Sequence, residues 1–482
     1  MVHNLIFGVV VVFLLVSLTV IHHHHVRRRN SIPLLHPLSA YTSLPILVPT
    51  LFGRRNTTIH SGHSRHGPIV RLSPREISIA SPDVLSTIYT GFSKPEWYNI
   101  FRNYGVAPMF AMLGGKEHTA RKKILAGAYS NTTISRSPLL RQVAGETLPM
   151  LLRGFDAENG GVEVWSRFVQ LTMDFVTAFL FTRELGSRFL EGEDPDVLER
   201  YHARRAYFAV SSELPRVADW IVPRWVREAN EKIEAWCRRL CEARRSQWVR
   251  EGGGGDERGE KCALDRVLAA SSLDGRLHVA SEMLDHIGAG HETTALALSF
   301  TLAAMSQRPD LQAKLRKSLA PLLEERDGWR IPQHDCYSAL EEHALLNAVI
   351  KESLRLHAPI PGSQLRVAPR DVSILGHPVP AGTMVSSQAW TLHRDPSIWG
   401  PDADEFLPER WLEGRGVERA WWAFGSGSRG CIGQHLARWE LRVVVASIYA
   451  NFETAGSEVG GVDAYTTAPS RAVEIAFTRC AA

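Results

Sequence analysis

From residue 117 to residue 357 the apolar positions recur mostly at helical spacing, with charged residues between them. Segments near 138–154, 162–184, 194–210, 226–250, 278–307, 309–324 and 338–357 are predicted helices. A last one runs from near Gly433 to near Ala450. Alternation replaces that period on both sides. Residues 69–72 and 76–79 read as short strands between Gly, Pro and Ser, and proline and glycine return with further short strands from 360 to 412. Residues 251–260 (EGGGGDERGE) read as a surface loop, and no internal repeat appears. The fold class is mainly α with a minor β region.

The amino end carries a different pattern. Residues 5–21 (LIFGVVVVFLLVSLTVI) hold no charge, and as a helix they span ~26 Å, enough to cross a bilayer with little tilt. Nothing basic precedes this run, whereas HHHHVRRR follows it. A cleaved signal peptide shows the opposite order, so an uncleaved transmembrane helix is expected. Arg27, Arg28 and Arg29 would face the cytosol. The expected domains are an anchor over 1–26, a stiff proline-bearing linker over 27–60 and one catalytic domain over 61–482. The sequons at Asn56 and Asn131 would be silent in that orientation. Trp220, Ile221, Val222, Pro223 and Trp225 form an apolar knot that either packs in the core or dips into a membrane interface.

Composition narrows the class. The chain is 44% hydrophobic and 22% charged with a formal charge of +4, which fits a large folded core and gives no basis for a nucleic-acid partner. Its six cysteines show no CxxC pair, so reduced thiols are expected rather than a disulfide scaffold. One stands in an unusual loop, Phe424-Gly425-Ser426-Gly427-Ser428-Arg429-Gly430-Cys431-Ile432-Gly433. Cys431 precedes a predicted helix, whose amino end favours a thiolate. The glycines allow tight turns and close approach of a flat macrocycle. Phe424 is placed to pack on the loop and Arg429 to meet an anion.

This loop resembles the FxxGxRxCxG haem-binding signature of the cytochrome P450 superfamily at every fixed position. The resemblance covers nearly the whole chain, and residues 66–74 and 94–98 are similar to filamentous-fungal members that tailor secondary metabolites. It implies a P450 fold with haem b (iron protoporphyrin IX) between two long helices, Cys431 as the iron ligand, and Phe424, Arg429 and Gly433 around it. Lys351-Glu352-Ser353-Leu354-Arg355 and Pro408-Glu409-Arg410-Trp411 resemble the elements that supply a buried structural triad, here Glu352, Arg355 and Arg410. Gly288-Ala289-Gly290-His291-Glu292-Thr293-Thr294 is similar to the AGx[DE]TT motif. Small Ala289 and Gly290 would leave room over a haem face, Glu292 would relay protons and the Thr293 hydroxyl would donate to bound oxygen; His291 stands at a variable position. The usual WxxxR propionate pattern is replaced by His118-Thr119-Ala120-Arg121-Lys122, where His118, Lys122 or Arg121 would take the role. Arg366 resembles another propionate arginine.

The implied function is a monooxygenase that hydroxylates a lipophilic small molecule at the endoplasmic reticulum membrane. Electrons would come from NADPH-cytochrome P450 reductase, with cytochrome b5 as an auxiliary donor. Its rivals are a redox-neutral isomerase or dehydratase on the same fold and a non-enzymatic haem sensor, neither of which needs Glu292 and Thr293. Segments near 92–113, 195–225 and 362–366 would set specificity.

Overall fold

The computed structural model of the chain describes Val16 and residues 32–480, apart from 159, 194–195, 254–260, 271–274 and 334–335. The expected anchor, the histidines at 22–25 and the arginines at 27–29 lie outside the described residues, Val16 excepted. Among the described residues no helix is long and apolar enough to cross a membrane.

Leu35, Ile46 and Ile59 are buried with Val70 and Leu72 in one cluster, so the described part of the expected linker, 32–60, packs on the domain rather than standing it off. The stretch folds into a 3-10 turn (Pro37–Ala40), helix α1 (Leu44–Leu51) and helix α2 (Arg55–His66). Both the turn and α1 carry a proline in their first turn, where its missing N–H removes no helical bond. Asn56 lies in α2 at 1% exposure and its amide donates to the Ala464 carbonyl, so this sequon is engaged in packing.

The remaining principal helices are α3 (Pro82–Gly91), α4 (Gly115–Ala126), α5 (Pro138–Ala157), α6 (Val164–Phe181), α7 (Asp196–Ala203), α8 (Pro215–Ile221), α9 (Arg224–Arg250), α10 (Arg276–Met305), α11 (Pro309–Leu319), α12 (Ala344–Leu356) and α13 (Gln434–Asn451). Their starts follow from local chemistry. The Ser137 hydroxyl accepts from Leu140 N–H and opens α5, and the Glu163 carboxylate accepts from Trp165 and Ser166 N–H and opens α6. Two predicted helices are divided. The segment near 194–210 becomes α7, a 3-10 turn (Arg204–Tyr207) and a short helix (Phe208–Glu213), and the one near 338–357 breaks at His343, whose ring caps α12.

A four-stranded sheet orders β1 (Ile69–Ser73), β2 (Glu76–Ile79), a strand at Met384–Gln388 and a strand at Ser363–Val367. The first two, expected as short strands near the amino end, pair antiparallel with Ile69 opposite Ile79. The main core lies among α5, α6, α10, α11, α12 and α13, where Phe168, Phe175, Leu298 and Val444 are buried. The long helix α10 packs along α6 and crosses α13. The apolar knot is not core: Trp220 is 91% exposed and Ile221 50%, which removes the packing alternative.

Candidate active site

Cys431 closes a short loop through its N–H, which donates to the Phe424 carbonyl at 2.9 Å, while Gly430 N–H donates to the Gly427 carbonyl. Gly427 is needed there. Its φ is +69° and an added Cβ would lie 2.7 Å from the Tyr89 carbonyl oxygen of α3. Gly433 caps α13, and the Phe424 ring lies against Trp421 and under the Arg438 guanidinium. Cys431 is open on one side. The Gly433 and Gln434 backbone, Lys122 and Arg438 pull its thiol pKa down, but burial outweighs them and the net direction is upward. A coordinated metal ion deprotonates a thiol outright.

One tyrosine links this loop to α10. The position of a Cβ on Gly433 would be 3.9 Å from both the Cys431 sulfur and the Tyr129 ring, and the Tyr129 hydroxyl meets His286 Nδ1 at 2.5 Å. On α10, Asp285, Ala289 and Thr293 repeat every four residues and share a face that is not fully buried. Thr293 Oγ1 donates to the Ala289 carbonyl at 2.7 Å, and Glu292 forms an ion pair with Arg205. Gly290 has another task than expected. A Cβ there would stand 2.6 Å from a Val176 methyl of α6, so its size serves helix packing and Ala289 alone leaves room on the open face.

Basic side chains gather beside this face without acidic partners. Arg429 donates to the Met112, Leu113 and Gly114 carbonyls, Lys122 to Ser428 and Gly430, and Arg366 to Leu365. Lys94, which sequence reasoning did not single out, donates to the Phe110 carbonyl between the Tyr98 and Phe110 rings. Burial, then Arg366 and Arg429, push Lys94 well below the usual lysine range. Burial, then Arg429, Lys122 and Lys94, lower His118 to about 3. Burial and Arg366 lower Arg429 to about 10. None of these five pairs with a carboxylate among the described residues, and Arg366 Nε is buried without a partner. Arg121 is excluded from the set because Glu282 takes it at 2.9 Å. Buried cations without counter-charges are costly. The two propionates of haem b would supply that charge, so the residues fit the group.

The scaffold behind the loop is fully bonded. Glu352 accepts from Arg355 Nε at 2.9 Å and Nη2 at 2.8 Å, from Arg410 Nε at 2.9 Å and from the Trp411 indole at 2.9 Å. All three charged side chains are at 0% exposure. The spare Arg355 donors reach the His393, Ala403 and Glu405 carbonyls. The triad touches no open face, which gives it a structural role.

The cytochrome P450 family model matches residues 56–467. The chain belongs to the cytochrome P450 family. Among curated relatives it is 28% identical over 429 residues to cytochrome P450 monooxygenase stcB of Emericella nidulans, covering 83% of this chain and 77% of that one. It is 27% identical to avaI of Aspergillus versicolor, covering 78% and 92% of the two chains. It is also 27% identical to aflV of Aspergillus parasiticus, covering 81% and 78%. The protein is thus a haem monooxygenase resembling fungal members, and P450 enzymes take electrons from a redox partner to act on small molecules.

The fold of this P450 also brings in residues that motif reading passed over. Asp285, one turn before Ala289, is raised to about 7 by burial, against the pull of His286 and Lys94. Trp97, Tyr98, Phe101, Phe110, Phe208 and Tyr465 form an aromatic network of edge-to-face and tilted contacts. Tyr98 and Tyr465 both donate to Gln364. Aromatic density around 97–110 was the available signal for most of these; nothing local marked Tyr465, which arrives from the carboxyl-terminal loop.

Proposed function

We propose that this P450 hydroxylates a lipophilic small molecule in secondary metabolism, using electrons from NADPH-cytochrome P450 reductase with cytochrome b5 as an auxiliary donor. The observation that carries the reading is the pairing of the Cys431 loop with the Glu292–Thr293 pair on α10. Cys431 would hold the iron, and Lys94, His118, Arg366 and Arg429 would hold the propionates. When bound, haem supplies the dioxygen chemistry, and thiolate donation favours O–O cleavage. The protein's share is proton control and exclusion of water. The Thr293 hydroxyl keeps its proton on the Ala289 carbonyl until a better acceptor arrives, and Glu292 stands next to it to restore that proton. The aromatic network favours an apolar, ring-bearing substrate. Neither a redox-neutral isomerase nor a haem sensor needs the acid–alcohol pair.

The enzyme would sit on the cytosolic side of the endoplasmic reticulum membrane, held by residues 5–21. Phe52, Leu44 and Val48 on or next to α1 are 76%, 55% and 46% exposed, as is the Trp220–Ile221 end of α8. The short helix Phe208–Glu213 packs against both α1 and α8, which supports one shared lipid-facing surface.

Cys431→Ala in the reduced enzyme is expected to abolish the red-shifted carbon monoxide band; an unchanged band would refute the ligand assignment. Incubation with reductase, labelled dioxygen and extracts of the host should yield a product carrying one labelled oxygen. Product formed without label would favour the isomerase reading.

A further inference from the structure

His291 stands two residues past Ala289, turned away from the open face of α10, and its side chain is fully buried. Nδ1 bonds the Ile287 carbonyl at 2.7 Å. A carbonyl only accepts, so Nδ1 carries the proton and Nε2 is left as a bare acceptor. That Nε2 has no partner among the described residues. Two neighbours on α7 share the condition: the Tyr201 hydroxyl and His202 Nε2 are also buried and unpartnered. The three rings are adjacent, with Tyr201 5.1 Å and His202 6.2 Å from His291 between centroids. Next to them Arg205 holds Glu292.

A buried polar atom left without a hydrogen bond is costly, and three in one place call for a common ligand. A cation is disfavoured, since Arg204 lies over the Tyr201 ring at 4.5 Å and Arg205 is adjacent. Both imidazoles are neutral near pH 7: burial lowers His202 to about 4 and His291 to about 3, with the two arginines acting in the same direction. A hydroxyl beside two neutral rings, one of them a bare acceptor at Nε2, suits water, which bridges such groups when two or more polar partners converge.

We propose that Tyr201, His202 and His291 hold a short chain of ordered water that feeds protons to Glu292, with Arg205 fixing that carboxylate at the chain's inner end. The inference rests on the monooxygenase reading above. Each water takes one proton from its outer neighbour and gives one to its inner neighbour, so only O–H bonds break and form. The net result is one proton from solvent on the Glu292 carboxylate, from which it restores the Thr293 hydroxyl. His202 and His291 stay neutral throughout as positioning residues that hydrogen-bond the water, His291 as an acceptor through Nε2.

The test uses the haem-loaded full chain with an NADPH-dependent reductase and no added substrate, recording NADPH used per dioxygen consumed, peroxide formed and the rate ratio in light and heavy water. His291→Phe keeps the ring volume and loses the acceptor; His291→Gln restores one. The Phe variant is expected to raise peroxide at the expense of water, with water formation slowed about tenfold and an altered solvent isotope effect. The Gln variant should return towards wild type, and His202→Phe should repeat the defect. A normal carbon monoxide band in each variant shows that the haem site is intact. A crystal structure of the haem-loaded enzyme should show water on His291 Nε2. A dry pocket, or wild-type peroxide and isotope values in both Phe variants, would overturn the proposal. If Thr293→Ala raises peroxide while His291→Phe does not, the pocket fails and the monooxygenase reading stands; a carbon monoxide band that survives Cys431→Ala removes the reading itself.

Discussion

At the level of single residues, the site is built from side chains whose bonding leaves one usable state. His393 shows how. Trp422 N–H donates to its Nε2 at 2.7 Å, and its Nδ1 therefore bears the proton shared with the Arg355 carbonyl at 2.8 Å. This neutral ring ties the triad helix α12 to the segment that enters the cysteine loop. Burial, and then Arg355, lower its pKa from 6.5 to about 3. A depressed folded pKa stabilises the fold above 6.5, and that contribution is lost as pH falls from 6.5 towards 3. His393→Gln should make acid unfolding shallower in this window by up to about 1.4 kcal/mol per pH unit, measured as urea unfolding at a series of pH values. An identical slope in the variant would show that His393 is not the group responsible. Cys431, Arg429 and Gly427 were legible in the sequence because each belongs to one short loop. Lys94 and Asp285 were not, since part of what sets them lies far along the chain, Arg366 and Arg429 for Lys94 and Lys94 for Asp285.

At the level of elements, the motif segments were readable and the joints were not. Helices α5, α6, α9, α10 and α13 follow from unbroken apolar periodicity. The division at His343 depends on a histidine side chain accepting a backbone N–H, a contact that periodicity does not express. The described part of the expected linker, 32–60, went the other way: its prolines suggested extended chain, yet Pro37 and Pro45 fall where helices tolerate them, and burial against β1 decided the outcome. For the triad, spacing placed Glu352 and Arg355 on one helix face, and only the fold supplied the carbonyls that satisfy both guanidiniums. Glu352→Gln leaves two buried cations without their counter-charge and should cost about 3–5 kcal/mol, read as a lowered urea midpoint of the haem-loaded protein. A loss below 1 kcal/mol would mean that the backbone carbonyls alone carry the arginines.

At the level of the whole molecule, the exposed apolar residues of α1 and α8 are the basis of the proposed membrane-facing surface, which no single segment specifies. In vesicles with brominated acyl chains the full-length protein should show tryptophan quenching that falls when Trp220 is replaced by Phe; equal quenching would place this edge outside the bilayer. What the sequence by itself determined was the chemistry of contiguous stretches: a cysteine loop, an acid–alcohol turn, a triad helix and an apolar amino-terminal run. Residue type and short-range spacing carry that information directly. Tertiary structure decided which distant groups share one dielectric environment. It assembled the cation set around Lys94, gave Arg121 to Glu282, used Gly290 for packing and left His291, His202 and Tyr201 unpartnered together. Burial sets the cost of every charge and every unmade hydrogen bond, and burial is a property of the packed chain rather than of any segment.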